Sequence, residues 1–274
     1  MIAPAAAPAG TGRDARAPRL ELEGISATYR DGRRWLPVLE EVSLDVADGE
    51  IVALIGPSGC GKSSLLDIVA GLWEPVSGEV RLDGSLLPGA VRLGRSAYMR
   101  QRDLLMPWRT AVDNAALALE ISGVPRRLAR ATALERFPAF GLEGFAGAYP
   151  AQLSGGMRQR VAFLRTLLTG QPLLLLDEPF AALDALTRAT MQSWLLDLWE
   201  RERRAVLLVT HDVDEAIFLA DRVVVLTPRP GRITHVEPVP LPRPRARTIV
   251  TTPVFTAAKA AVLAALGEFP LEHD

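Results

Sequence analysis

Gly56-Pro-Ser-Gly-Cys-Gly-Lys-Ser-Ser64 fits the pattern G-x-x-x-x-G-K-[ST], with Gly56, Gly61, Lys62 and Ser63 in register. The apolar run Ile51-Val-Ala-Leu-Ile55 precedes it, and Ser64-Leu-Leu-Asp-Ile-Val-Ala70 follows with the apolar spacing of a helix face. The context is therefore strand, glycine loop, helix. Glycines let the backbone wrap closely around an anion, successive N–H groups point inward, and a helix N-terminus adds a favourable dipole. Gly56, Pro57, Ser58, Gly59, Cys60, Gly61, Lys62, Ser63 and Ser64 are expected to form a phosphate cradle. In it Lys62 reaches the β- and γ-phosphates and the Ser63 hydroxyl ligates Mg²⁺. Such a loop implies a nucleoside triphosphate without saying what the nucleotide drives.

The 274 residues suffice for one large α/β domain or a core with a subdomain, and a hydrophobic content of 49% supports a sizeable interior. With 31 basic against 32 acidic residues there is no global basic field to argue for nucleic acid. The local run Arg201-Glu-Arg-Arg204 reads as a solvated helix end. Cys60 is the single cysteine, so no intramolecular disulfide forms and a reducing compartment is indicated. No apolar segment approaches the roughly 20 residues of a membrane helix. Met1 to about Pro18 lacks the continuous apolar core of a signal peptide and is expected to be a disordered leader that stays attached. The chain is expected to be soluble by itself while sitting on a membrane partner.

Leu20 to Tyr29 alternates apolar and polar residues like a half-buried strand, as does Val42-Ser-Leu-Asp-Val46, so an antiparallel pair is expected before the nucleotide core. Tyr29 at the strand end can stack on a base or simply pack. Gly78 to Gly84 reads as another short strand, and Ser96 to Gln101 as a strand emerging at a glutamine. From Asp103 to about Gly147 the pattern turns helical, with helices expected over 111–121 and 128–137, forming an inserted helical subdomain. At Leu153-Ser-Gly-Gly-Met-Arg-Gln-Arg160 a second glycine turn opens a helix. Ser154 is suited to cap it, and the N–H groups of Gly155 and Gly156 form either an ordinary N-terminus or a second anion site.

Leu173-Leu-Leu-Leu-Asp-Glu178 reads as a central parallel strand that delivers two acids at its C-terminal end, where α/β sheets bind ligands. There Asp177 is expected to hold Mg²⁺ through water and Glu178 to polarise the attacking water, the plainer alternative being a strand that ends in two solvated acids. Ala205 to Thr210 is another buried strand, ending at His211, which is placed to hydrogen-bond a γ-phosphate; His235 and His273 lack such a setting. A short helix over 215–220, a strand over 222–226 and an amphipathic helix over 256–266 complete the reading.

Together these residues resemble the ATP-binding subunit of an ABC transporter, and the match covers roughly Leu20 to Arg232. The segment Leu153-Ser-Gly-Gly-Met157 is its specific part, since a phosphate loop alone is shared by many unrelated NTPases. The resemblance implies a P-loop NTPase (RecA-like) α/β core with an antiparallel β subdomain and an inserted helical subdomain at about 102–160. It implies an ATP-binding domain over 19–235 and a C-terminal extension over 236–274. It also implies ATP and Mg²⁺ as cofactors. Tyr29 is then similar to the adenine-stacking aromatic, and Gln101 to the glutamine that touches Mg²⁺ and senses the membrane partner. Asp184 lies in a segment, Ala181 to Asp184, similar to the D-loop, and His211 is similar to the switch histidine. In this family Ser154, Gly155 and Gly156 of one copy close over the ATP of a second, so a head-to-tail dimer is implied.

Implied partners are membrane permease subunits and, through them, an extracytoplasmic substrate-binding protein, with the chain on the cytoplasmic face of the membrane. Met157 stands where the family has glutamine and Ala181 where it often has serine, changes that bear on dimer closure. Leu104 to Thr110 and Glu178 to Arg188 look like the nitrate/sulfonate/taurine group of importers, and Ala162 to Leu168 like members assigned to thiamine-pyrimidine precursors. An exporter ATPase and a non-transport ABC ATPase are the alternatives; the first often carries fused membrane helices and the second a coiled-coil insert or two cassettes.

Overall fold

The computed structural model describes residues 18–32 and 34–267. The leader read over 1–18 lies outside them apart from Pro18, as does His273. The chain runs β1 (Leu20–Asp31), β2 (Arg34–Val46), β3 (Ile51–Ile55), α1 (Lys62–Val69), β4 (Ser77–Leu82), β5 (Ser85–Leu86), α2 (Gly89–Arg92) and β6 (Ala97–Met99). It continues through α3 (Ala111–Ile121), α4 (Arg126–Arg136), α5 (Gly155–Leu167), β7 (Leu173–Asp177), α6 (Ala185–Glu202), β8 (Ala205–Val209), α7 (Val213–Leu219), β9 (Arg222–Leu226), β10 (Ile233–Pro238) and α8 (Pro253–Gly267).

Two sheets organise these elements. A four-stranded antiparallel sheet has the order β2-β1-β4-β5, and a six-stranded sheet has the order β10-β9-β3-β8-β7-β6. In the second sheet every pairing is parallel except β10 with β9. The central strands are buried along their whole length because each face meets a different core. Val52, Leu54, Leu173, Leu175, Leu207 and Val224 point into a core shared with α1 and the antiparallel sheet. Ile51, Ala53, Leu174, Leu176, Leu208 and Val223 point into a core built with the helices α3 to α8. Covered on both sides, such strands carry unbroken apolar runs instead of alternation. Each buried Leu or Val contributes about 1.5–3 kcal/mol.

Parallel pairing has one consequence that matters for chemistry. Leu54 is level with Val209, Val209 with Asp177, and Leu176 with Met99, so β3, β8, β7 and β6 end along one sheet edge. The loop from Gly56, and residues Gln101, Asp177, Glu178 and His211, all leave the sheet there.

The structure extends the sequence reading in several places. β2 begins at Arg34, well before Val42, because the hairpin continues to its turn through register shifts in β1. Helix α6 is long, and its buried Met191, Leu195 and Trp199 fall at four-residue spacing; Arg203 ends it in a left-handed conformation at φ 50°. The helix α2 and strand β10 also join the architecture, β10 running through residue 235. Helix α8 starts three residues earlier than expected and buries Phe255, Ala258, Val262 and Ala265. Among the described residues no helix is long and apolar enough to cross a membrane.

Candidate functional site

The loop between β3 and α1 is held from the antiparallel sheet. Gly61, the residue before α1, has φ 106°, and a Cβ there would lie 2.7 Å from Leu39 Cδ2 and 3.0 Å from the Val38 carbonyl oxygen. Only glycine fits both the conformation and the space. Helix α1 has no side-chain cap and no acid in its first turn, so its leading N–H groups remain for an anion. Lys62 is buried, and its ammonium donates to the carbonyls of Gly56 and Pro57, both at 2.8 Å. The positive charge is thus fixed at the mouth of the loop. Cys60 is fully packed, and burial pushes its thiol up despite the nearby Lys62.

Asp177 ends β7 as a buried carboxylate. Burial is the main cause that pushes its carboxyl up; Glu178 and Asp67 add to this, while a hydrogen bond from Ser63 and the charge of Lys62 oppose it. A hydroxyl beside a carboxylate is a hard oxygen donor set that suits Mg²⁺, which typically takes one or two protein ligands and completes its shell with phosphates and water. Among the described residues no group of three or more His, Cys, Asp or Glu side chains gathers as a metal site.

Glu178 follows with φ 47°, and its N–H donates to the Val209 carbonyl at 2.9 Å, tying the ends of β7 and β8 together. Its carboxylate has two neighbours. Gln101 Nε2 donates to Oε2 at 3.0 Å, and His211 Nδ1 stands 3.4 Å from Oε1. Gln101 and His211, from two strand ends, therefore converge on the carboxylate at the end of a third. His211 itself is 64% exposed, so its ring faces the space in front of the sheet edge.

Other predicted residues lie apart from this group. Ser154 caps α5, its hydroxyl accepting from the Met157 N–H at 3.2 Å, with Gly155 and Gly156 in the first turn. Among the described residues no hydrogen bond joins them to the loop over 56–64. Asp184 caps α6 through the N–H groups of Leu186 and Thr187, and these bonds hold its carboxyl below the usual range. Tyr29 is 60% exposed on β1, opposite Leu36.

Two sets of residues escaped the sequence reading. Arg158 pairs with Asp103 at 3.0 Å, and Arg165 donates to the carbonyls of Asp103 and Leu104, so α5 grips the loop just after Gln101. The signal was present: arginines seven residues apart share a helix face. Glu215 and Gln192, by contrast, are buried polar residues in runs that look like ordinary amphipathic helix. Only tertiary packing brings them together.

The loop, the carboxylate pair and the glycine-opened α5 agree with a family model described as ABC transporter, which matches residues 39–181. The chain belongs to the ABC transporter family. It is 43% identical over 250 residues to the taurine import ATP-binding protein of Pseudomonas aeruginosa, covering 89% of this chain and 94% of that one. It is 44% identical over 211 residues to a formylaminopyrimidine import ATP-binding protein of Halalkalibacterium halodurans, covering 77% and 80% of the two chains. Its fold matches an ATP-binding cassette solved as a dimer in a post-hydrolysis state with ADP and Pi, at a TM-score of 0.73 and 33% identity, over 80% of this chain and 98% of that one. The chain is an ABC ATPase, an ATP-binding subunit with the P-loop core, antiparallel sheet and helical insertion of its family.

Proposed function

We propose that this chain energises import of a small solute by binding and hydrolysing ATP as a head-to-tail dimer beneath membrane permease subunits. The observation that carries the reading is the convergence of Gln101 and His211 on Glu178, beside Asp177 and the loop of Lys62. In the proposed reaction the residues Gly56 to Ser64 wrap the phosphates, and Lys62 exchanges its carbonyl partners for β- and γ-phosphate oxygens. Tyr29 stacks on adenine. Glu178 orients and polarises the attacking water, while His211 donates to the γ-phosphate as charge develops in the transition state. Ser63, Asp177 and Gln101 would hold Mg²⁺, which supplies neutralisation of phosphate charge when bound.

Ser154, Gly155 and Gly156 lie apart from the loop of their own chain, which supports a role in trans: the start of α5 closes on the γ-phosphate held by a second copy. Asp184 sits at the same interface in this reading. Closure pulls on the helical subdomain, and the grip of Arg158 and Arg165 on the loop after Gln101 passes that motion to a permease subunit. Residues 19–235 make the ATP-binding domain, with the helical subdomain at about 102–160 and an extension over 236–274. The chain works peripherally at the cytoplasmic face, and a substrate-binding protein delivers cargo from the other side.

The two named relatives carry different cargoes in their names, taurine and formylaminopyrimidine, which supports the import class and leaves the solute to experiment. The test is reconstitution with the permease and binding protein, followed by ATPase assays with taurine, other sulfonates, nitrate and pyrimidine precursors. Stimulation by one of these from the binding-protein side supports import. Transport in the opposite direction contradicts it.

A further inference from the structure

Glu215 is only 5% exposed, on α7, four residues beyond His211 in the chain. Its Oε2 accepts from Gln192 Nε2 of α6 at 2.9 Å, and the Thr210 side chain lies beside this carboxylate. Thr210 is buried, and its Oγ1 accepts from the Asp212 N–H at 3.1 Å. Asp212 Oδ1 in turn accepts from the Glu215 N–H at 3.1 Å and caps α7. The residues on both sides of His211 are therefore fixed by one buried carboxyl and its helix, while His211 is exposed and has little packing of its own. The other end of the link lies on α6, which Asp184 caps and which also brings Arg188 to 3.6 Å from Asp212.

We propose that Glu215 is a positioning residue: through Thr210 it holds His211 in its working place and ties it to helix α6. The inference rests on the role proposed above for His211. A buried hydrogen bond to a carboxylate is stronger than a neutral one, and with the Asp212 N–H on its Oγ1 and the Glu215 carboxylate beside it Thr210 has a single place to sit. A misplacement of about 1 Å costs on the order of 10²-fold in rate. His211, one residue further on, inherits that constraint.

The charged groups around Glu215 are Asp212 and His211 from the loop, Glu178 from the end of β7, and Arg188 from α6. Helix α8 brings Lys259 to Asp214, and the segment before it brings Arg245 to the carbonyl end of α7. Burial first, and Asp212 second, push the Glu215 carboxyl up to about 7, against the Thr210 and Gln192 hydrogen bonds and Arg188. Near neutrality its state thus changes between an ionised acceptor and a neutral acid that resembles glutamine.

The experiment measures ATP turnover by the full-length chain against pH. Glu215→Ala is expected to lower kcat roughly ten- to hundredfold with KM for ATP within about twofold. For Glu215→Gln, the ratio of wild-type to variant kcat is expected to exceed one at pH 8 and fall towards one at pH 6, the trend of a carboxyl that ionises in one of the two proteins only. Thr210→Val, which removes the hydroxyl and keeps the branched shape, should show the same kcat loss and serves if Glu215→Ala does not fold. A ratio independent of pH, wild-type kcat in Thr210→Val, or equal losses of kcat and ATP binding would overturn the proposal. His211→Ala is run beside them: full turnover there removes the role of His211 and this inference together. An inactive His211→Ala with normal Glu215 and Thr210 variants removes the inference alone.

Discussion

Gln101 Nε2 donates a 3.0 Å hydrogen bond to Glu178 Oε2, so the loop leaving β6 and the acid leaving β7 share one carboxylate. The same loop is held at Asp103 and Leu104 by Arg158 and Arg165 of α5. In the proposed mechanism, movement of α5 would pull on the residue that touches Glu178 and so link the helical insertion to the proposed chemistry without a long relay.

For Gln101→Ala the expectation is that nucleotide affinity changes by less than about twofold, since the loop of Lys62 is untouched. Stimulation of ATPase activity by the reconstituted permease should be lost. Equilibrium binding of a fluorescent ATP analogue and coupled ATPase assays check the two halves. A large loss of affinity with coupling intact would place Gln101 in binding instead.

Gly61→Ala puts a methyl group 2.7 Å from Leu39 Cδ2, in a backbone conformation at φ 106° that alanine rarely adopts. Overpacking and strain together are expected to cost about 1–3 kcal/mol of stability and to abolish ATP binding. Thermal unfolding with and without Mg-ATP measures both. Nucleotide-induced stabilisation equal to that of wild type would show that the loop tolerates the change.

Cys60 is buried within the loop with its thiol pushed up by burial, so little thiolate is available. The folded chain should react with iodoacetamide at pH 8 at least about tenfold more slowly than the unfolded chain, because only the exposed thiolate is the nucleophile. Mass spectrometry of the single cysteine gives the rate directly. Equal rates in both states would mean that the loop opens readily.

Glu215 also makes a stability prediction, with a sign opposite to that for turnover. Its folded value of about 7 lies above the ordinary 4.5, so the folded chain binds the extra proton between these values. The stabilisation is fully present below about pH 4.5 and is lost as pH rises through about 7. Glu215→Gln has no such dependence. Its stability relative to wild type should therefore increase from pH 5 to pH 8, by on the order of 2–3 kcal/mol. Urea unfolding at the two pH values checks it; an unchanged difference contradicts it.

Much of this was legible in the sequence because local chemistry and fold agreed. The strand before Gly56, the cap at Ser154 and the acids after Leu176 lie where short patterns place them, and helix α3 runs over 111–121 as expected. Helix α6 was harder to see, since its charged residues are spread around it and its buried stripe is narrow. The contacts among Gln101, Glu178 and His211 join residues 77 and 33 positions apart, and only the parallel register of β6, β7 and β8 brings them together. The buried pair Gln192 and Glu215 gave no sequence signal, because a polar residue on a helix reads as solvated until a partner helix covers it.

The claim that the site is completed by a second copy is tested most directly by the mass of Glu178→Gln in solution. Substituting glutamine keeps the shape of Glu178 and its contact with Gln101 while removing the group proposed to polarise water. Light scattering is expected to give a monomer without nucleotide and a dimer with ATP, lost again when Ser154→Arg is added. A Glu178→Gln chain that binds ATP and stays monomeric, or that turns ATP over at the wild-type rate, would contradict the account.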